Sequence, residues 1–321
     1  MRWATAALAA AITGKTVAGN ECTQPAVRRE WRVLAEQEKV DYIAAVKCLT
    51  TKPSKVGLAT SLYEDFPWIH SQLNSNIHFV ASFLPWHRWF VHLYESELRG
   101  QCNYRGTMPY WDWTQDSGAL PSAPVFLEST TSGFGAGGLQ NEFQSPTRPN
   151  PLTSCVTTGA FANLSLTYYT TTERTHCLNR SFNNGTGSSP TDDSWQAALY
   201  SPAMIANITD KSPSFEKFWV ELENNPHGAI HNSIGGDMVP STSPNDPLFF
   251  LHHSQVDRLW WIWQQKDPMT RNSDYSGNKY PYDDETPASL ADTMTFGGLS
   301  TNITVADVMS TIRGGLCYGY A

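Results

Sequence analysis

The histidines constrain this chain most. Nine occur in its 321 residues, and most fall in short helical patterns that lie far apart in the sequence. In "NPHGAIH" (225–231), His227 and His231 stand four apart, so one helix face carries both imidazoles. In "IHSQLNSNIHFVASFLPWHRWF" (69–90), His70, His78 and His87 span two helical patterns. On one unbroken helix His78 and His87 would face opposite ways, because nine residues make about two and a half turns. Pro85 breaks that helix, so His78 can approach from a loop while His87 points in from the next first turn. In "NDPLFFLHHSQVDRLWWIWQQKD" (245–267), the adjacent His252 and His253 point about 100° apart. The face of His252 carries Leu248, Val256 and Leu259 and is apolar. The face of His253 carries Phe249, Asp257 and Trp260, so it offers a carboxylate to orient an imidazole. His253 is the expected ligand and His252 a packing residue. His92, among Phe90, Val91, Leu93 and Tyr94, also reads as packing.

Two groups of three histidines result, and no cysteine or carboxylate stands at ligand spacing with them. Gly228 follows His227 where a zinc protease has its glutamate, so that motif is absent. Binuclear hydrolytic sites usually add carboxylates. An all-imidazole set suits copper, zinc or iron, and the lack of a bridging carboxylate favours copper.

The rest of the chain narrows the class. Hydrophobic residues make up 40%, charged residues 16%, and the net charge is -8 without a Lys/Arg-rich run. Nucleic acid and membrane are therefore not expected partners. Residues 1–19 read as a secretory signal peptide, with Arg2 before the apolar stretch Trp3–Ile12. Five sequons, at Asn163, Asn179, Asn184, Asn207 and Asn302, and six cysteines without a Cys-x-x-Cys pair fit a secreted, N-glycosylated monomer. Three disulfides are expected, with about 15 pairings open. Helical patterns run over 26–49, over 61–74 with an interruption at Pro67, from Pro85 to a stop at Gly100, over 214–234, and over 245–267 with Asp246 as N-cap. Residues 115–214 read as long loops. The expected architecture is one mainly α-helical domain over 20–321.

Three segments carry a family resemblance. "FLPWHRWFVHLYE" (83–95), "PYWDW" (109–113) and "SPNDPLFFLHHSQVDRLW" (243–260) resemble type 3 copper proteins, which comprise tyrosinases, catechol oxidases and molluscan-type haemocyanins. The resemblance implies a four-helix bundle holding a dinuclear copper site. His70, His78 and His87 would take one copper, and His227, His231 and His253 the other. Dioxygen is then the co-substrate, and small phenols and catechols the partners. Phe249 is placed to pack on the ligand rings, with Asp257 and Arg258 behind them. "CYGY" (317–320) resembles the tyrosine motif that ends the catalytic domain, so Tyr318 and Tyr320 should anchor against Arg28 or Arg29, with no shielding domain following. Asn76 stands where many fungal relatives have a cysteine crosslinked to the second ligand. Gly228 stands where many tyrosinases have an asparagine. That asparagine, with a glutamate for which Glu223 fits, is proposed to hold a water that deprotonates monophenols. Asn232 can substitute from one turn on. The expectation is oxidation of o-diphenols to o-quinones with weak monophenol hydroxylation. The alternatives are a full tyrosinase and an oxygen carrier.

Overall fold

A computed structural model describes residues 22–137, 155–182 and 194–321. The expected signal peptide and the sequon at Asn184 lie outside them. Four longer helices lead: α1 (Glu36–Leu49), α2 (Leu62–Ile77), α3 (Phe83–Cys102) and, after four shorter ones, α8 (Leu248–Gln265). The first three of these are α4 (Ser194–Leu199), α5 (Pro202–Lys211) and α6 (Phe215–Leu222). A π turn (Glu223–His227) leads from α6 into α7 (Gly228–Ile234), and α9 (Pro268–Arg271) follows α8. The bundle is formed by α2 and α3 on one side and by α6–α7 and α8 on the other. Phe66 of α2 meets Phe250 at 5.6 Å between ring centroids, and Phe218 of α6 stacks on Trp263 at 5.1 Å. Helix α8 is buried from Leu248 through Asp257, apolar on nearly every face, as a central helix must be.

Several sequence expectations shift. The pattern over 26–49 is not one helix. Ala26–Arg28 form β1, which pairs in parallel with β8 (Tyr318–Tyr320), and the helix starts at Glu36. Pairing with the C-terminus wins over local helical preference there. Pro67 does not interrupt α2. It forgoes a bond to the Tyr63 carbonyl, and burial of the helix outweighs that loss. Helix α3 starts at Phe83, which puts Pro85 in the first turn, where its missing N–H is not needed. The helix runs past Gly100, and Asn103 stops it in a left-handed conformation, φ 57°. Asp246 does cap α8, its Oδ1 accepting from the Leu248 N–H at 2.9 Å. The expected loops of 115–214 contain a hairpin, β2 (Ser165–Tyr169) with β3 (Thr172–Cys177), as well as α4 and α5. Small antiparallel pairs β4 (Asn278–Tyr280) with β5 (Asp283–Pro287), and β6 (Thr293–Met294) with β7 (Ile303–Thr304), follow α9.

The six cysteines form three disulfides, Cys22–Cys317, Cys48–Cys102 and Cys155–Cys177. Three sequon asparagines, Asn163, Asn207 and Asn302, are exposed. Asn179 is buried, so its sequon cannot carry a glycan on the folded chain. The terminal strands are locked by a buried charge network. The Arg28 guanidinium lies 3.6 Å from the Tyr318 ring centroid and donates to Glu95 at 2.7 Å and to the Tyr320 hydroxyl at 3.1 Å. Arg29 instead pairs with Glu38. Among the described residues no helix is long and apolar enough to cross a membrane.

Candidate metal centre

The two histidine groups meet in the middle of the bundle. His70 comes from α2 and His87 from α3. His78 follows the end of α2 in extended backbone, φ -123° and ψ 148°, so it reaches in from a loop as its spacing implied. Their ring centroids lie 5.1 to 5.5 Å apart. In the second group, Pro226 lacks the N–H of a regular turn, and the chain widens into the π turn that carries His227. His227 and His231 still share a face, with rings 4.6 Å apart. His253 lies 5.2 Å from His227 and 5.8 Å from His231. It also stacks on His87 at 4.4 Å, which joins the two groups.

The ring nitrogens show what the site is built for. The Nδ1 atoms of His70, His78, His87, His227 and His231 face the carbonyls of Ser241, Asn74, Phe83, Glu223 and Met238, at 2.5 to 3.2 Å. A carbonyl only accepts, so each Nδ1 carries the proton and each Nε2 keeps its lone pair. Those lone pairs converge. His70 Nε2 and His87 Nε2 are 3.4 Å apart, and Nε2 of His227, His231 and His253 is buried without a partner. Buried acceptors facing one another are unfavourable without a cation between them. Burial holds all six imidazoles in the neutral, ligating form, with His78 and His231 pushed down to about 4. The residues therefore fit two metal ions bound by nitrogen.

His252 is also buried beside His227 and His231, at 5.4 and 4.8 Å, and one nitrogen of each of these three and of His253 lies within 4.8 Å of the others. The ring of His252 lies towards Trp113, 6.2 Å away, whereas that of His253 is against the first group. Phe249 is fully buried between the groups, 4.1 Å from His253 and 5.2 Å from His70. His92 packs on Trp89 instead.

Asp257 does not orient His253. Its Oδ1 accepts from Arg88 Nε at 2.5 Å, and its Oδ2 from the hydroxyls of Tyr318, at 2.6 Å, and Tyr320. Helical spacing put the carboxylate near the ligand, but two arginines and two tyrosines compete for it more strongly. Both nitrogens of His253 lack a hydrogen-bond partner, so Phe249 and His87 hold its ring by packing. Arg258 lies over the Tyr110 ring, 4.8 Å away, rather than behind a ligand.

Glu223 is no solvated helix carboxylate. It is buried, and its Oε1 accepts from the Phe79 N–H at 2.9 Å while Oε2 has no partner. Burial pushes it up to about 8, against the lowering effect of the Phe79 N–H. Gly228 is partly exposed in ordinary helical backbone, and a Cβ there would meet nothing closer than the Glu223 carbonyl at 3.5 Å. Asn232 is exposed. The partly exposed His78 and His231, with Gly228, mark the open side of the centre. A separate cavity of about 260 Å³, lined by Leu73, Trp86, Tyr275, Lys279 and Tyr280, contains none of the histidines.

Residue types alone could not reveal the five carbonyls or the Phe79 N–H. His176, given no role from sequence, bonds Asp237 at 2.8 Å, beside the Met238 carbonyl that holds His231. Arg88 had a signal, since it directly follows a ligand.

Known proteins resemble this chain in sequence and fold. The model of the common central domain of tyrosinase matches residues 60–266. A tyrosinase-like protein of Diaporthe leptostromiformis, phomQ1', is 39% identical over 315 residues, covering 94% of this chain and 81% of that one. Tyrosinase ustQ of Aspergillus flavus is 38% identical over 310 residues, covering 96% and 83%. Among solved structures, a Gly-to-Asn variant of the polyphenol oxidase of Thermothelomyces thermophila superposes with a TM-score of 0.78 at 29% identity, covering 92% of this chain and 89% of that one. With two converging imidazole groups in a helical bundle and a family match over most of its length, the chain belongs to the tyrosinase family of dinuclear copper enzymes.

Proposed function

We propose that this chain oxidises o-diphenols to o-quinones with dioxygen and hydroxylates monophenols only weakly. The observation that carries the reading is Gly228 beside a Glu223 whose Oε2 has no partner. Two copper ions held by His70, His78, His87, His227, His231 and His253 would supply the electron transfer to dioxygen. The protein's own residues do the rest. Five carbonyls fix the imidazole tautomers, and Phe249 keeps water from the space between the groups. Glu223 is the proton acceptor for a phenol arriving from the open side. A base works best when it and its water are positioned, and Gly228 has no side chain to do that. Oxidation of a catechol depends less on this base than hydroxylation of a monophenol does.

The test is steady-state rates on tyrosol and 4-tert-butylphenol against the matching catechols. The parent should favour the catechols strongly, and Gly228→Asn should raise the monophenol rate. That variant should fold normally, because the position is helical and open. Monophenol rate should climb with pH as Glu223 ionises. Its midpoint should lie below about 8 once bound cations counter the effect of burial, and Glu223→Gln should abolish the climb. Equal parent rates on both phenol classes would overturn the reading. Reversible oxygen binding without catechol turnover would favour a carrier instead.

We infer further that the protein is secreted as a glycosylated monomer. Three disulfides and exposed sequons at Asn163, Asn207 and Asn302 support this. Mass spectrometry and gel filtration of culture-medium protein, before and after deglycosylation, should show lost glycan mass, no free thiol and a single-chain size. An intracellular, unglycosylated product would refute it.

A further inference from the structure

Beside the open side of the centre stands a pair of aromatic rings that the chemistry above does not use. Phe79 is 46% exposed and Tyr282 is 89% exposed, and their rings stack with centroids 6.2 Å apart at 23°. Both residues have left-handed backbone, φ 57° and 58°. Bulky side chains rarely adopt that conformation, and glycine or asparagine would make either turn at lower cost. Turn geometry therefore does not account for two aromatic rings, and burial does not account for them either.

The pair is firmly tied to the centre. Phe79 directly follows His78, and its N–H donates to Glu223. Its carbonyl accepts from the Asn278 side chain at 2.9 Å, and the Ala81 N–H donates to the Asn278 carbonyl at 2.9 Å. Asn278 opens the hairpin β4–β5, whose turn carries Tyr282. One ring thus sits on the ligand loop and the other on a hairpin bonded to that loop. The ledge they form is one residue away from a ligand and faces solvent.

We infer that Phe79 and Tyr282 form a platform for a second aromatic ring of the substrate, so that the preferred diphenols carry an aryl group beyond the ring that is oxidised. Flat π faces held by the protein attract a further aromatic ring by offset stacking. The occupant is the substrate itself, because Phe79 adjoins the partly exposed His78 and its N–H reaches Glu223. The inference rests on the diphenol-oxidising reading.

The test compares catechol with 4-phenethylcatechol in the parent, Tyr282→Gly and Tyr282→Phe. Glycine removes the ring and relieves the left-handed strain together, so the variant should melt no lower than the parent. Expected is a rise of about 2- to 12-fold in KM for 4-phenethylcatechol in Tyr282→Gly, with its kcat and the KM of catechol unchanged, and parent values in Tyr282→Phe. A KM shift equal for both substrates, or none, overturns the platform. Calorimetric binding of 4-phenethylbenzoic acid against benzoic acid reads the same contact without turnover. The parent should prefer the two-ring acid, and Tyr282→Gly should lose that preference by the same factor. Absence of catechol oxidation alongside an intact binding preference would defeat the enzymatic reading and leave the platform standing; an absent preference would defeat the platform itself.

Discussion

His253→Ala is expected to lower copper content from two ions per chain to one and to cut catechol oxidation by more than about a hundredfold. The ring of His253 is the junction of the site, stacked on His87 at 4.4 Å and within 5.8 Å of both His227 and His231. Loss of a residue that merely supports a ligand already costs about 10- to 100-fold in metal affinity, so loss of the ligand should exceed that range. His252→Ala should keep both ions and most activity, while destabilising the core, because its ring lies on the Trp113 side away from the first group. Metal analysis and initial rates on both variants check this. If His252→Ala loses the second ion and His253→Ala keeps it, the assignment of the two neighbours is reversed.

Asp257→Ala should destabilise the fold by about 3–5 kcal/mol, the usual consequence of breaking a buried ion pair from one side. Arg88 and Arg28 are both fully buried, and the carboxylate answers both. Without it Arg88 keeps only the carbonyls of Val308 and Met309, the Gln264 side chain and the Trp260 face. Urea unfolding should show a lower midpoint at an unchanged slope. A loss below about 1 kcal/mol would mean that these partners suffice, since that is the range of an exposed pair. The pH dependence has a definite sign. Burial pushes the Asp257 carboxyl up, but Arg88, Arg28 and the two tyrosines together hold it below its ordinary value. A depressed carboxyl stabilises the fold above the unfolded-state value and stops doing so as pH falls through the folded one. The parent should therefore lose this contribution on acidification, and the variant should lack that part of the acid limb.

Side-chain type and helical phase are local properties of a sequence, whereas the choice among distant partners is not. The histidines and Phe249 were legible because side-chain type and helical phase determine which rings share a face. Tyr318 and Tyr320 on Arg28 were legible from their motif. Asp257 was misassigned because helical phase gives a direction but does not rank competing partners, and Arg88 lies in another helix. The carbonyls that orient five imidazoles carry no residue signature at all. Likewise β1 looked helical because its partner strand lies at the opposite end of the chain, where no local window can see it. The N–H that Glu223 accepts belongs to Phe79, 144 positions earlier.

The clasp of β1 and β8 also reaches the metal centre. Arg88 directly follows His87 and donates to Asp257 at 2.5 Å, and Asp257 stands one turn after His253. The hydroxyls of Tyr318 and Tyr320 donate to that same carboxylate, and Arg28 donates to Tyr320. A change in either tyrosine therefore bears on the spacing of His87 and His253 from a strand far away in sequence, through one shared carboxylate.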